Sequence, residues 1–400
     1  MSQHNEKRPG YKKTKAGWIP DEWEFGKFSD VADIIMGQSP DGKSYNKNKL
    51  GIPLINGPKE FTKRYPIKKQ WTSSPTKICQ FGDVLLCVRG SSTGRINIAD
   101  DTYCIGRGIA AIREKKSQSY ASFIEHLMSD LNSQILMCTV GSTFPNIDKK
   151  TLSNISIAIP PFPEQKKIAE ILSTWDEAIE QTRKLIDAKK RRKKALMQQL
   201  LTGKKRLPGF NESWEEYRLG ELFDERREVN CNHLPLLAIT GTRGVIPATE
   251  IKRKDSSSVD KSRYKRIVSG DIGYNTMRMW QGVSAVSDLE GIVSPAYTIC
   301  IPKETVDVRF MGYFFKFSPV VNLFRRFSQG LVNDTLNLKF HNFAQIKIKM
   351  PCLGEQHKIA IIFQVADEEI EILQNKLVAI EKQKRGLMQK LLTGEVRAVV

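Results

Sequence analysis

The stretch PPFPEQKKIAEILSTWDEAIEQTRKLIDAKKRRKKALMQQLLTG, residues 160–203, returns without a gap as PCLGEQHKIAIIFQVADEEIEILQNKLVAIEKQKRGLMQKLLTG, residues 351–394. About 20 of the 44 aligned positions are identical at a constant offset of about 191 residues, so the chain carries an internal duplication. Glu164-Gln165 matches Glu355-Gln356, Lys167-Ile168-Ala169 matches Lys358-Ile359-Ala360, and Asp176-Glu177 matches Asp367-Glu368. Both copies then run through Leu-Met-Gln (Leu196, Leu387) and close on Leu-Leu-Thr-Gly at Gly203 and Gly394.

Each copy reads as one long helix. Pro160, Pro161 and Pro163 stop an alternating strand, Ile155 to Ile159, and the acid Glu164 suits a helix N-terminus. The second copy repeats this with Ile346 to Met350, Pro351 and Glu355, and the two glycines stand where a C-terminal cap belongs. Apolar residues recur every seven positions: Leu172, Ile179, Ile186 and Leu200 in one row, Ile168, Trp175 and Leu196 in the other. The second copy offers Phe363, Ile370, Leu377 and Leu391, then Ile359, Leu373, Ile380 and Leu387, and each copy sets a lysine in its seam (Lys193, Lys384). Such heptads predict a coiled-coil seam rather than two amphipathic helices in separate cores.

Connectivity then predicts that the helices pair antiparallel. One divergent region precedes the first helix and another lies between the two. The expected division is a flexible basic tail over 1–16, a first globular domain over 17–160 and a first long helix over 161–206. A second domain over 207–351 and a second helix with a tail over 352–400 complete it. The fold class expected is α/β, two such domains joined by two long antiparallel helices with an internal pseudo-two-fold repeat. Helices of this length would hold the domains about 55–60 Å apart, at 1.5 Å per residue.

The halves are otherwise unlike. Trp23-Glu24 matches Trp214-Glu215, and Gly82-Asp83-Val84 resembles Gly270-Asp271-Ile272, a turn leading into an apolar run. Predicted strands are Val84 to Val88, Ile96 to Ala99, Ile109 to Ile112, Leu234 to Ile239 and Ile292 to Ile301. Predicted helices are Ala121 to Met137 and Phe310 to Phe327.

Among 400 residues, 63 Lys and Arg against 44 Asp and Glu leave a net charge of +19. That excess favours a polyanion, since each cation set on a phosphate releases a counterion, although lysine-rich surfaces also serve solubility. Seven cysteines (Cys79, Cys87, Cys104, Cys138, Cys231, Cys300, Cys352) are scattered without a Cys-x-x-Cys pair, which argues against a zinc site or disulfide framework and suits the cytoplasm. No apolar run is long enough to span a membrane.

Two loops have the chemistry to meet DNA. Arg89-Gly90-Ser91-Ser92-Thr93-Gly94-Arg95, with Arg107 nearby, combines small residues that let the backbone approach phosphate with arginines that can bridge guanine O6 and N7. The matching positions in the second half are Asn275 to Gly282, which contain Arg278, Trp280 and Gln281; Arg243 in Thr242-Arg243-Gly244 is a further candidate. The bland alternative is a pair of surface turns. Lysine clusters at Lys59 to Lys69, Lys252-Arg253-Lys254 and Lys189 to Lys194 read as solvated or phosphate-facing.

Catalytic signatures are missing. There is no phosphate-cradling Gly-x-x-x-x-Gly-Lys-Ser/Thr loop, no Gly-x-Gly-x-x-Gly after a strand and no Asn/Asp-Pro-Pro-Tyr/Phe run. Glu250-Ile251-Lys252 imitates the end of a nuclease motif without an upstream aspartate, and the five histidines form no cluster.

With its Pro-Pro-x-x-Glu-Gln-x-x-Ile-Ala opening (Pro160 to Ala169), its twofold Leu-Leu-Thr-Gly close and its Gly-x-Ile-Pro-x-x-Trp stretch (Gly17 to Trp23), the chain resembles the specificity (S) subunit of type I restriction–modification systems. The second copy departs slightly, with Cys352 and Gly354 in place of prolines. The resemblance implies a non-catalytic subunit that reads double-stranded DNA with one target-recognition domain per half-site of a bipartite, asymmetric target. It implies docking of two methyltransferase (M) subunits and of motor-nuclease (R) subunits, with S-adenosylmethionine, Mg²⁺ and ATP held by those partners. A stand-alone nuclease or methylase, or a coiled-coil scaffold without DNA affinity, are the competing readings.

Overall fold

The computed structural model describes residues 9–15, 17–137, 145–251 and 260–399. Residues 1–8, Ala16, Cys138 and the cluster Lys252-Arg253-Lys254 lie outside the described residues. Contacts divide the chain into two compact units, residues 1–183 with 376–400 and residues 184–375.

The long helices are Phe162–Leu200 and Leu353–Leu392. Both end as their sequences predict, on a glycine with positive φ, +68° at Gly203 and +72° at Gly394. The N–H groups of Lys205 and Val396 fold back onto the carbonyls of Gln199 and Lys390, both at 3.1 Å.

In each unit a piece of one helix lies antiparallel to a piece of the other. In the first unit Lys384 Nζ donates to both oxygens of Asp176 at 2.6 Å and Arg183 meets Glu381 at 2.6 Å. In the second Lys189 meets Glu369 at 2.7 Å and Lys193 meets Asp367. Residue numbers rise on one helix as they fall on the other, and the two seam lysines both close onto the repeated aspartate. Ile168, Leu172 and Leu391 are part of the first unit's core, with Leu387 packed on it; Leu200, Ile359 and Phe363 are part of the second's. Ile179, Ile186 and Ile370 are buried, and Trp175 and Leu377 half-buried.

The Glu-Gln pair that opens each helix has a physical purpose, because all four side chains are buried. Glu164 accepts the Trp23 indole N–H at 2.8 Å and two donors of Arg397 at 2.8 and 2.9 Å. Glu355 likewise accepts from Trp214 at 3.3 Å and from Arg206 at 2.8 Å. Gln165 and Gln356 donate to the carbonyls of Pro160 and Pro351, at 3.0 and 2.9 Å. A buried carboxylate needs such partners to be tolerated.

The two lobes share the topology of their main sheet. The first has a four-stranded antiparallel sheet in the order Ile96–Ile98, Val84–Cys87, Ile109–Glu114, Ala32–Met36; the second repeats it as Ser284–Val286, Ile272–Asn275, Tyr297–Pro302, Phe223–Glu225. A short ribbon joins each sheet to its helix: Glu24–Lys27 with Ser156–Ile159, and Glu215–Arg218 with Lys347–Met350. A further five-stranded sheet in the first lobe, and two ribbons in the second, build a separate small core in each.

Several elements differ from expectation. Tyr11–Thr14, read as loose tail, is a strand paired with Gly17–Pro20, and the Tyr11 hydroxyl donates to the Gly394 carbonyl at 2.9 Å. The single helix expected over Phe310 to Phe327 is two, Val308–Phe314 and Ser318–Phe327. The strand expected over Ile292 to Ile301 is split into Gly291–Val293 and Tyr297–Pro302, and that expected from Leu234 begins at Leu237.

Candidate nucleic-acid interface

The two candidate loops leave the same strand of the same sheet in each lobe. In the first, Cys87 N–H donates to Arg95 O (2.8 Å), Val88 N–H to Gly108 O (2.9 Å) and Ile147 N–H to Val88 O (2.9 Å). In the second, Asn275 N–H donates to Val283 O (3.1 Å), Thr276 N–H to Ala296 O (3.1 Å) and Leu338 N–H to Thr276 O (2.9 Å). The loops 88–95 and 276–283 therefore have equal length and one backbone frame. Each also has, as its penultimate residue, a glycine with positive φ, +89° at Gly94 and +77° at Gly282. At Gly94 the positive φ is what favours glycine, and a Cβ there would also press on the Asn132 side chain, with Oδ1 at 2.7 Å.

Mounted on this common frame, the side chains differ throughout. In the first loop Arg89, Ser91 and Arg95 are exposed and Ser92 is half-buried. Arg89 Nε donates to Asn146 Oδ1 at 3.1 Å, which holds its guanidinium at the surface. Thr93 is buried and its hydroxyl donates to Gly90 O at 2.7 Å, so it braces the loop. Arg107 is exposed, on a backbone tied to Ser39 Oγ at 3.2 Å.

In the second loop Arg278 and Gln281 face solvent. Asn275 Oδ1 accepts the Met277 N–H at 3.0 Å and Trp280 Nε1 donates to Met277 O at 3.1 Å, so both residues spend polar groups on shaping the loop. Arg325, which the sequence reading passed over, lies 5.9 Å from the Trp280 ring centroid. Arg243 stands on a separate hairpin turn and is engaged by Glu250. That pairing also occupies the carboxylate that imitated a nuclease motif. The two lobes thus present exposed arginines and amide or hydroxyl groups on loops closed by their own hydrogen bonds.

Behind each loop a buried aspartate ties the turn. Asp83 accepts the Gln80 N–H at 2.8 Å and a two-pronged contact from Arg113 at 2.9 and 2.8 Å. Asp271 accepts the Val268 N–H at 2.9 Å and a two-pronged contact from Arg226 at 2.7 and 3.1 Å. These carboxylates raise the arginine pKa values further. The arginines were not singled out from sequence, although the repeated Gly-Asp turn was the clue to their partners. Likewise, Arg206 and Arg397 stand one repeat offset apart, a signal that would have exposed the glutamate clamps.

Among the described residues no group of three or more His, Cys, Asp or Glu could hold a metal ion, and no helix is long and apolar enough to cross a membrane.

The family profile described as "Type I restriction modification DNA specificity domain" matches residues 20–188 and again residues 211–382. The chain belongs to that family and carries its domain twice. A type I restriction enzyme specificity subunit of Methanocaldococcus jannaschii, MjaX, is 39% identical over 199 residues, a match that spans 49% of this chain and 47% of that one, about half the length of each. A second from the same organism, MjaVIII, is 25% identical over 98% of this chain and 97% of its own. The crystal structure of the type I S subunit from M. genitalium shares the fold, with a TM-score of 0.58 at 15% identity over 92% of this chain and 96% of that one. A specificity subunit recognises DNA and performs no catalysis of its own.

Proposed function

We propose that each lobe reads one half of a bipartite, asymmetric DNA target through its loop, 88–95 or 276–283. The observation that carries this reading is the shared loop frame with different side chains, which is what two readers of unlike sequence require. Arg89, Ser91, Ser92, Arg95 and Arg107 serve the first half-site, Thr93 supporting their loop. Arg278 and Gln281 serve the second, with Asn275 and Trp280 as loop formers and Arg243 at its edge. The remaining cations contact phosphates.

The domain limits 17–160 and 207–351 frame these readers, and the helices between them set the unread spacer. The helices also dock two methyltransferase subunits, and motor-nuclease subunits complete the complex. S-adenosylmethionine, Mg²⁺ and ATP are handled by those partners, and the assembly works in the cytoplasm. Purified chain with DNA, Mg²⁺ and S-adenosylmethionine is expected to give neither nicks nor methyl transfer.

The test is an exchange of residues 20–159 for the corresponding region of another family member, followed by mapping of methylated sites in cells that carry the partner subunits. One half-site is expected to change and the other to persist. Alteration of both halves would refute modular reading.

A further inference from the structure

Leu331 is the most exposed large apolar side chain among the described residues, fully open to solvent at 101%, with Val332 beside it at 61%. The tip that carries them is closed by its own hydrogen bonds. Gln329 and Asn337 exchange backbone hydrogen bonds of 2.9 and 2.8 Å. Val332 O accepts the N–H groups of Thr335 (2.9 Å) and Leu336 (3.2 Å), and the Thr335 hydroxyl accepts the Val332 N–H at 3.2 Å. Gly330 adopts φ +137°, and a Cβ there would lie 2.5 Å from Thr335 O, so the turn closes around a glycine. The fold holds two apolar side chains outward on a braced finger.

The base of the finger adjoins the second reading loop. Leu338 N–H donates to Thr276 O at 2.9 Å, and Arg325 spans from the Trp280 ring to Asn333 Oδ1, the latter at 3.5 Å. Arg278, Arg325, Arg326 and Lys339 are all exposed around it, with Asp334 as the acid of the tip. A protein or lipid surface would call for a broad apolar area. Two aliphatic side chains framed by guanidinium groups suit a DNA groove instead, where cations hold phosphates while leucine or valine packs on base edges, thymine methyls or an opened base step.

We propose that Leu331 and Val332 form a base-contacting finger of the second lobe, a specificity element additional to loop 276–283. The inference rests on reading that lobe as a DNA reader, and the experiment separates the two. The full chain with its methyltransferase partners is titrated with a duplex carrying its own target, taken from the mapped methylation sites. The same duplex with the second lobe's half-site scrambled is the control. Variants are Leu331→Ala, Val332→Ala and Arg278→Ala, with melting temperatures measured for each.

Leu331→Ala, a truncation in solvent, keeps its melting temperature and weakens target binding about tenfold. The scrambled duplex is unaffected, and the slope of log affinity against log salt is unchanged. Arg278→Ala, which removes a base reader of loop 276–283, likewise weakens target binding and spares the scrambled duplex. Wild-type binding by Leu331→Ala and Val332→Ala, with Arg278→Ala impaired, overturns the finger and leaves the lobe's reading intact. Equal loss on both duplexes, or loss of partner co-purification in place of DNA affinity, also overturns it. Indifference of all three variants, together with an unchanged half-site on exchange of the whole lobe, overturns the DNA reading itself.

Discussion

Asp83 in the first lobe and Asp271 in the second occupy the same buried turn, yet their arginines arrive from different strands. Arg113 comes from Ile109–Glu114, whereas Arg226 follows Phe223–Glu225. In the first lobe the place of Arg226 is held by Ile35, and in the second the place of Arg113 by Ile301. The comparison separates what the fold demands from who supplies it. A carboxylate that braces the turn below a reading loop needs a cation, and either neighbouring strand can deliver one. The helix clamps behave differently: there the glutamate, the tryptophan and the arginine all recur at the same positions.

The largest expected effect tests the repeated part against the divergent part. One heptad inserted after Leu200 extends the end of the first helix and lies outside the loops, so the mapped target should gain spacer and keep both half-sites. An unchanged spacer would remove the helices from any measuring role.

Next, Glu164→Ala and Glu355→Ala should each cost about 3 kcal/mol in denaturant unfolding, because each strands an indole N–H, buried at Trp23 and half-buried at Trp214, together with a partly buried arginine. Near-equal losses support equivalent clamps; a several-fold disparity breaks the likeness of the two halves.

A smaller effect probes the swapped arginine. Arg113→Ile leaves Asp83 buried without its cation and should cost about 2 kcal/mol. Adding Ile35→Arg transplants the second lobe's solution and should restore most of it. Destabilisation that simply adds in the double variant would show that the strands are not interchangeable donors.

The smallest effect depends on pH and belongs to the first unit. His126 is pushed down to about 4, chiefly by burial and also by the charge of Lys384, while Asp176 at 3.9 Å opposes the shift. The folded state then binds fewer protons than the unfolded one between pH 4 and the ordinary value of 6.5. Stability is complete above that window and falls as pH drops through it. His126→Asn should reduce the loss between pH 7 and pH 5 by on the order of 1 kcal/mol. In the second unit Asp367 accepts the Tyr313 hydroxyl at 2.9 Å, and Tyr313 does not titrate in that range. An identical acid response of wild type and variant would deny His126 this part.

The long helices were legible because heptads, prolines and glycine caps agree over some forty residues and do so twice. The equivalence of loops 88–95 and 276–283 was also readable, since both follow a Gly-Asp turn. Breaks inside elements were harder to see, although the residues responsible are visible. Pro319 sits in the first turn of a new helix, Ser318–Phe327, and Phe317, the residue before that helix, is extended at ψ 126°. Pro295 separates Gly291–Val293 from Tyr297–Pro302. The strand Tyr11–Thr14 carries three polar residues, two of them lysines, so periodicity gave no signal; pairing across the turn to Gly17 makes it a strand. The partners of Glu164 and Asp83 escaped notice because contacts between residues far apart in sequence leave no local pattern.

The first unit draws on two separated stretches of chain, for Leu391, Leu392 and Ala398 complete the core around Trp23, and Arg397 covers Glu164. The second unit is a single uninterrupted segment. On a ribosome delivering about 5–20 residues per second, the half made first therefore waits unfinished, its indole and carboxylate uncovered, while the half made second has every piece it needs earlier. Order of synthesis and order of completion are reversed, and truncation near residue 390 should injure the opposite end of the gene product from the one it removes.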